Sequence, residues 1–256
     1  MLIDNPWFYV AALPAVLIVG ISKSGFGGGL GLVSVPILAF TVSPATAAAI
    51  MLPILCVMDI MSWWAYRRIW DRRNLLILVP AALVGIVVGM LTFRYMSEDV
   101  LRLIVGAIAV LFTLDHWFGR RPKLTPSEAG IGLGAVCGAI SGFTSFIAHA
   151  GGPILQVYML PQRLDKTLFV GTTVIFFLIM NYVKLVPYAY LGMLSAENLT
   201  TSLVLLPLAP IGIWLGLRLH RLVSQAAFYR VMYLLTFVAG AKLIWDGLHL
   251  GARLGL

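Results

Sequence analysis

The feature that most limits what this chain can become is a series of long uncharged apolar stretches, at 6–22, 24–58, 75–93, 129–148, 167–183 and 199–217. A helix needs about 17–25 such residues to cross a hydrocarbon core. A soluble fold of this size still exposes roughly a quarter of its unfolded surface. That is too much for a chain that is 61% apolar and only 11% charged, against about 45–50% and 25% in soluble domains. The sequence predicts an all-α polytopic membrane protein. Segment 1–6 carries Asp4 and no basic residue, so the first span is expected to be retained rather than cleaved as a signal peptide.

An internal repeat sets the architecture. A shift of 117 places Ser24-Gly25-Phe26 on Ser141-Gly142-Phe143, and Pro36-Ile37-Leu38 on Pro153-Ile154-Leu155. A shift of 127 places Leu76, Leu78, Pro80, Ala82, Gly85, Ile86, Gly89, Arg94 and Ser97 on identical residues, from Leu203 to Ser224. Two units follow, 1–122 and 123–256, within one membrane domain. Each reads as five apolar segments: 6–22, 28–41, 45–66, 75–94 and 100–118, then 129–147, 151–161, 166–190, 199–219 and 225–248. About ten transmembrane or part-spanning helices are expected. The second of each half is short: 14 residues make a helix of only about 21 Å.

The net charge of +8 lies in short loops beside apolar spans, which points to membrane orientation rather than nucleic acid. Arg67, Arg68, Arg72, Arg73, Arg120, Arg121, Lys123, Arg163, Lys166, Arg218 and Arg221 all fall on one side if each half crosses an odd number of times. The positive-inside rule makes that side cytoplasmic and both termini periplasmic. An odd count also inverts the second half, the plan of many secondary transporters.

The glycine-rich breaks carry the chemistry. Lys23-Ser24-Gly25-Phe26-Gly27-Gly28-Gly29 precedes one short segment, and Ser141-Gly142-Phe143-Thr144-Ser145 with His149-Ala150-Gly151-Gly152-Pro153 precedes the other. Unwound backbone is tolerated at membrane depth only where protein or a cavity covers it. Chain feeding a helix start exposes that helix's first N–H groups, an anion site. The expected site therefore lies between two such starts near the midplane. Lys23 and a protonated His149 add positive potential, and Ser24, Ser141, Thr144 and Ser145 supply donors. The alternative use of small residues is close helix packing, which suits Gly85/Gly89, Gly212/Gly216 and Gly134/Gly138 better. No dinucleotide fingerprint or phosphate-binding loop is present.

These motifs, with Val35-Pro36, resemble the TauE/SafE family of sulfite exporters, also called the toluene sulfonate uptake permease family, along essentially the whole chain. The resemblance implies transport of sulfite, sulfonates or related sulfur anions across the bacterial inner membrane.

Asp59 and Asn181 are further candidates. A carboxylate at membrane depth faces a cavity or a partner; Asp59 could carry a proton, neutralise Lys23 or form a structural ion pair. Gln156 and Asn181 could orient substrate or join helices. Lys184 could line the pathway or snorkel to the outer interface, and snorkelling is the expected use; Trp63, Trp64, Trp70, Trp117 and Trp7 are expected to form an aromatic belt. Cys56 and Cys137 sit in apolar segments, away from any metal or disulfide pattern. No catalytic residue, metal or cofactor is expected. The expected partners are a small sulfur anion and the lipid bilayer, not nucleic acid; a homodimer is left open. Secondary transport leads, with an anion channel and an intramembrane enzyme as alternatives.

Overall fold

The computed structural model describes residues 3, 5–28, 34–38, 41–92, 98–118 and 130–253. Gly29, Arg94, Ser97, Arg120, Arg121, Lys123 and the boundary at 122/123 lie outside them. Among the described residues every regular element is helical. The order is α1 (Pro6–Gly25), α2 (Ser34–Leu38), α3 (Pro44–Tyr66), α4 (Arg72–Thr92), α5 (Glu98–Phe118), α6 (Ile131–Ala148), α7 (Gly152–Met159), α8 (Lys166–Tyr190), α9 (Ala196–Leu205), α10 (Leu208–Leu222) and α11 (Gln225–Arg253). Helices α1, α3, α4, α6, α8 and α11 are long and apolar enough to cross a membrane, and the bent pair α9–α10 would make a seventh span.

Local chemistry fixes the ends. Pro6 opens α1 behind Asn5, whose Oδ1 accepts from Trp7 N at 3.0 Å. Ser43 and Pro44 open α3 the same way, Asp165 caps α8 and Ser195 caps α9, each satisfying amides that a helix start leaves unpaired. At the end of α1, Phe26 N and Gly28 N both donate to the Ser22 carbonyl, at 2.8 and 2.9 Å. Gly27 and Gly28 stand at φ +66° and +76°, where a side chain would be strained. Helix α6 ends similarly, with His149 N on Ser145 O and Ala150 N on Thr144 O, but its left-handed residue is His149 at φ +52°.

One predicted segment divides. The stretch expected at 199–219 is two helices, α9 and α10, meeting at a 47° bend. Pro207 lacks an amide proton and its ring crowds the preceding turn. Its repeat partner Pro80 stays inside an unbroken α4.

The helices pack in pairs: α4 on α6, α1 on α10, α5 on α11 and α3 on α8. Small residues let the first two pairs touch by backbone. A Cβ on Gly85 would strike the Ala139 carbonyl, and one on Gly142 the Ala82 carbonyl. A Cβ on Gly20 would lie 2.9 Å from Gly212 Cα. Gly212, Gly216, Gly85 and Gly138 face backbone in this way, while Gly89 faces the Phe146 side chain and Gly134 those of Ile77 and Tyr158; close approach is what membrane helices use in place of a hydrophobic driving force. Outward-facing positions remain apolar, among them Val84, Leu91, Leu203 and Trp214. Trp7, Trp63, Trp64, Trp70 and Trp117 are exposed as well.

Three basic loops gather at one end. Asn74 bonds Gln162, Asp71 N donates to Thr172 Oγ1, and Lys166 Nζ donates to the carbonyls of His220 and Val223. The last turns of α1 and α3 lie toward this end, where His220 Nδ1 donates to Gly25 O and Tyr66 Oη to Ser24 O. The last turn of α6 lies away from it. There Tyr188, near the end of α8, donates to Phe146 O, and His149 reaches Ala48 at the start of α3. So α1 and α3 run toward the basic end, and α6 and α8 away from it.

Candidate functional site

The cavity between the central helices is lined by Val19, Lys23 and Gly28 from α1 and its cap, Leu55 from α3, Ser145 and His149 from α6 and its cap, and Phe177 and Asn181 from α8. Lys23, Gly28, Ser145, His149 and Asn181 were all expected site residues. Two helix ends arriving from opposite directions bring them together.

On the α1 side, Lys23 Nζ lies 2.8 Å from Asp59 Oδ1, with both side chains buried. The other carboxylate oxygen accepts from Asn181 Nδ2 at 2.7 Å. Asp59 therefore takes the role of neutralising Lys23, and Asn181 holds it in place. A buried carboxylate is stable only when paired and hydrogen-bonded. The ammonium also sits 5.9 Å from the centre of the Phe177 ring, within cation–π range.

On the α6 side stands a residue the sequence reading misplaced. Lys184 does not snorkel; it is 0% exposed. Its Nζ donates to Ser145 O and Ser145 Oγ, both at 3.0 Å, and lies 2.9 Å from His149 Nδ1. Helix α6 packs over it, and the ammonium finds the open carbonyl and hydroxyl of that helix's last turn instead of water. Positive charge is favourable there, because a helix C-terminus carries partial negative charge. Lys184 is not itself a wall of the cavity; it stands behind Ser145 and His149, which are.

His149 Nε2 is 3.0 Å from the Ala48 carbonyl. That oxygen can only accept, so Nε2 carries a hydrogen. Nδ1 then faces the Lys184 amine, and two N–H groups cannot point at one another. The two side chains share one proton between these nitrogens. This corrects the expectation that a protonated His149 adds a charge of its own.

Several expected donors are engaged elsewhere. Ser24 Oγ donates to Gly20 O and reaches Ile213 O, at 2.9 and 3.0 Å, tying α1 to α10. Ser141 Oγ donates to Gly151 O at 2.8 Å, and Thr144 Oγ1 is held among the carbonyls of Ile140, Ser141 and Ala150. Gly25 abuts Gly216, and Gly151 abuts Ser141. Gly152 starts α7 away from the cavity lining. Gln156 Oε1 accepts from Thr236 on α11, leaving its buried Nε2 unpartnered. Among the described residues the cavity is lined by the C-terminal turns of α1 and α6 rather than by helix starts. The glycines after Lys23 close a helix whose carbonyls need capping.

A multi-pass helical bundle with ionisable side chains converging on a cavity between helix ends is the arrangement expected of membrane transport proteins. The particular kind follows from comparison with known families. The model of the family described as Sulfite exporter TauE/SafE matches residues 12–243, and the chain belongs to that family. No curated protein and no solved structure matches it.

Proposed function

We propose that this protein is a secondary transporter, working as an exporter, of small sulfur-containing anions such as sulfite or organosulfonates across the bacterial inner membrane. Family membership supports membrane transport of this kind. The single observation that carries the site assignment is the buried Lys184 side chain, whose hydrogen-bond partners are a carbonyl, a hydroxyl and an imidazole, while the Asp59 carboxylate that it also feels is held by Lys23 and Asn181. Beside it, Ser145 and His149 line a cavity closed opposite by a neutralised Lys23. An uncompensated cation is costly in a membrane interior, and an anionic substrate relieves that cost.

The proposed scaffold is two inverted repeats, 1–122 and 123–256, with broken segments near the midplane and both termini periplasmic. Three observations support it. The gathering of basic loops at one end agrees with a single cytoplasmic face. Helices α1 and α3 run opposite to their counterparts α6 and α8. The pairing is reciprocal, α4 on α6 matched by α10 on α1, with α3 on α8 and α5 on α11 as self-matched pairs. Export of a monoanion runs down an inside-negative potential worth about 2.3 kcal/mol per charge per 100 mV, so no second energy source is required in that direction.

Purified protein in proteoliposomes, challenged with sulfite, sulfate, taurine, sulfoacetate and thiosulfate, tests the reading. Saturable flux of at least one sulfur anion is expected. Flux of none would refute it, and unitary currents in planar bilayers would make the protein a channel.

A further inference from the structure

We propose that Lys184 is the counter-charge of the bound anion, acting through the Ser145 hydroxyl, and that the cavity consequently selects monoanions over dianions. The inference rests on the transport reading above and names the charge state of the substrate: a sulfonate or hydrogensulfite headgroup rather than a sulfate-like dianion.

The groups that converge on the cavity fix its net charge. From α1 comes Lys23, and from α3 Asp59; they face each other at 2.8 Å and cancel. Asn181 occupies the second carboxylate oxygen, so Asp59 is held against turning elsewhere. From α6 and its cap come Ser145, which does not titrate in this range, and His149. From α8 comes Lys184. Cys56 on α3 and Tyr182 and Tyr188 on α8 are the remaining titratable groups nearby, a thiol and two phenols, which ordinarily bring no charge at neutral pH. Lys184 and His149 share one hydrogen between Nζ and Nδ1, because His149 Nε2 already donates to Ala48 O. That pair therefore holds at most one positive charge. A monoanion brings the site to neutrality. A dianion leaves one negative charge buried without a partner, and desolvation penalises it strongly.

Hydrogen-bond directions show how the charge reaches the anion. All three hydrogens of a Lys184 ammonium are used, on Ser145 O, Ser145 Oγ and His149 Nδ1. Ser145 Oγ accepts from Lys184, so its own hydrogen remains to be donated. Ser145 lines the cavity and Lys184 does not. A hydroxyl polarised by an ammonium behind it is a stronger donor than a hydroxyl alone. Ser145 is thus the contact donor, and Lys184 a positioning residue that sets its strength and the charge of the site.

Titrations of the purified full-length protein at neutral pH with methanesulfonate and with sulfate test this. Methanesulfonate is expected to bind at least about tenfold more tightly than sulfate, since only sulfate leaves an unpaired buried charge. Asp59→Asn releases Lys23 from its counterion and should turn the preference toward sulfate; the double variant Lys23→Gln, Asp59→Asn should restore the preference for methanesulfonate. Lys184→Met should lose methanesulfonate binding, while Ser145→Ala should weaken it and keep the charge preference. Monodisperse elution of each variant checks folding, and the wild-type comparison needs no variant. Equal binding of the two anions by the wild-type protein would overturn the charge rule while leaving anion transport intact. An Asp59→Asn protein with unchanged preference would overturn it as well. Absence of both binding and flux for every sulfur anion would remove the transport reading and this inference together.

Discussion

Two lysines approach one cavity from opposite ends, and the protein treats them differently. Lys23 is matched by a carboxylate, itself fixed by an amide; Lys184 is matched only by a carbonyl, a hydroxyl and an imidazole. In bulk water the two ammonium groups would be interchangeable. In a membrane interior they are not, because a paired charge is structural and an unpaired one is available to a ligand. The contrast teaches that the number of cations around a cavity is a poor guide to its chemistry, and the number left without an anion is a better one.

The largest effect expected from breaking this asymmetry is on stability. Asp59→Leu strands Lys23 in the core and should cost about 3–5 kcal/mol. Adding Lys23→Met should recover most of that loss. Unfolding midpoints in detergent would show it, and a double variant as unstable as the single one would mean the pair is not the cause.

The two helix ends offer a second contrast. Gly28, at φ +76° and with the Phe177 ring 3.2 Å from where a Cβ would stand, should lose about 1–2 kcal/mol on change to Ala. Gly28→Val should also impair anion binding, since Gly28 lines the cavity. Gly152→Val should leave binding closer to wild type, as Gly152 lies off that wall. Equal loss at both positions would return the anion to the start of α7.

Removing the other lysine should matter far less to the fold. Lys184→Met takes away a charge that makes no direct ion pair, the Asp59 carboxylate being paired with Lys23, and the donors lost to Ser145 and His149 are offset by the relieved desolvation. A net change within about 1 kcal/mol is expected. A loss as large as that of Asp59→Leu would show that Lys184 has an anionic partner after all.

The smallest effect is a slope. Methanesulfonate does not titrate near neutrality, so any pH dependence of its affinity belongs to the protein. The hydrogen shared by Lys184 and His149 supports the anion, so affinity should fall as pH rises and that hydrogen is lost. Lys23, Asp59, Cys56, Tyr182 and Tyr188 are the other titratable groups within reach, and the trend should persist in the Lys23→Gln, Asp59→Asn protein. A flat profile would separate the pair from binding.

Much of this was legible in the sequence. The apolar runs announced the spans, the membrane depth of Asp59 and Asn181 marked both as candidates, and the clustered arginines marked one end. Lys184 was not legible. It lies six residues from the end of α8, where a long stem ordinarily reaches the interface, and the packing of neighbouring helices on α8, with the last turn of α6 taking its hydrogen bonds, keeps it inside. Ser24, Ser141 and Thr144 were misjudged for a reason sequence could have supplied: hydroxyls within helices habitually return their hydrogen to a nearby carbonyl. The glycine run was read as opening a helix, although glycine just past a helical turn more often closes one. The break in α9–α10 could not be read from Pro207, because Pro80 occupies the matching place in α4 without breaking it.

That break has a mechanical meaning. Helix α9 packs on α3 and α10 on α1, with the 47° corner between them. Helix α4, a single rod, lies against both α6 and α8. A displacement of α1 relative to α3 can be taken up as rotation at Leu206–Pro207, each half-helix keeping its main contact while the smaller α10–α3 and α9–α1 contacts shift. The same displacement of α6 relative to α8 must either bend α4 or slide along it. The molecule therefore has a jointed flank and a stiff one. Spin labels across the α9–α10 corner should report the larger change when anion binds, and labels along α4 the smaller.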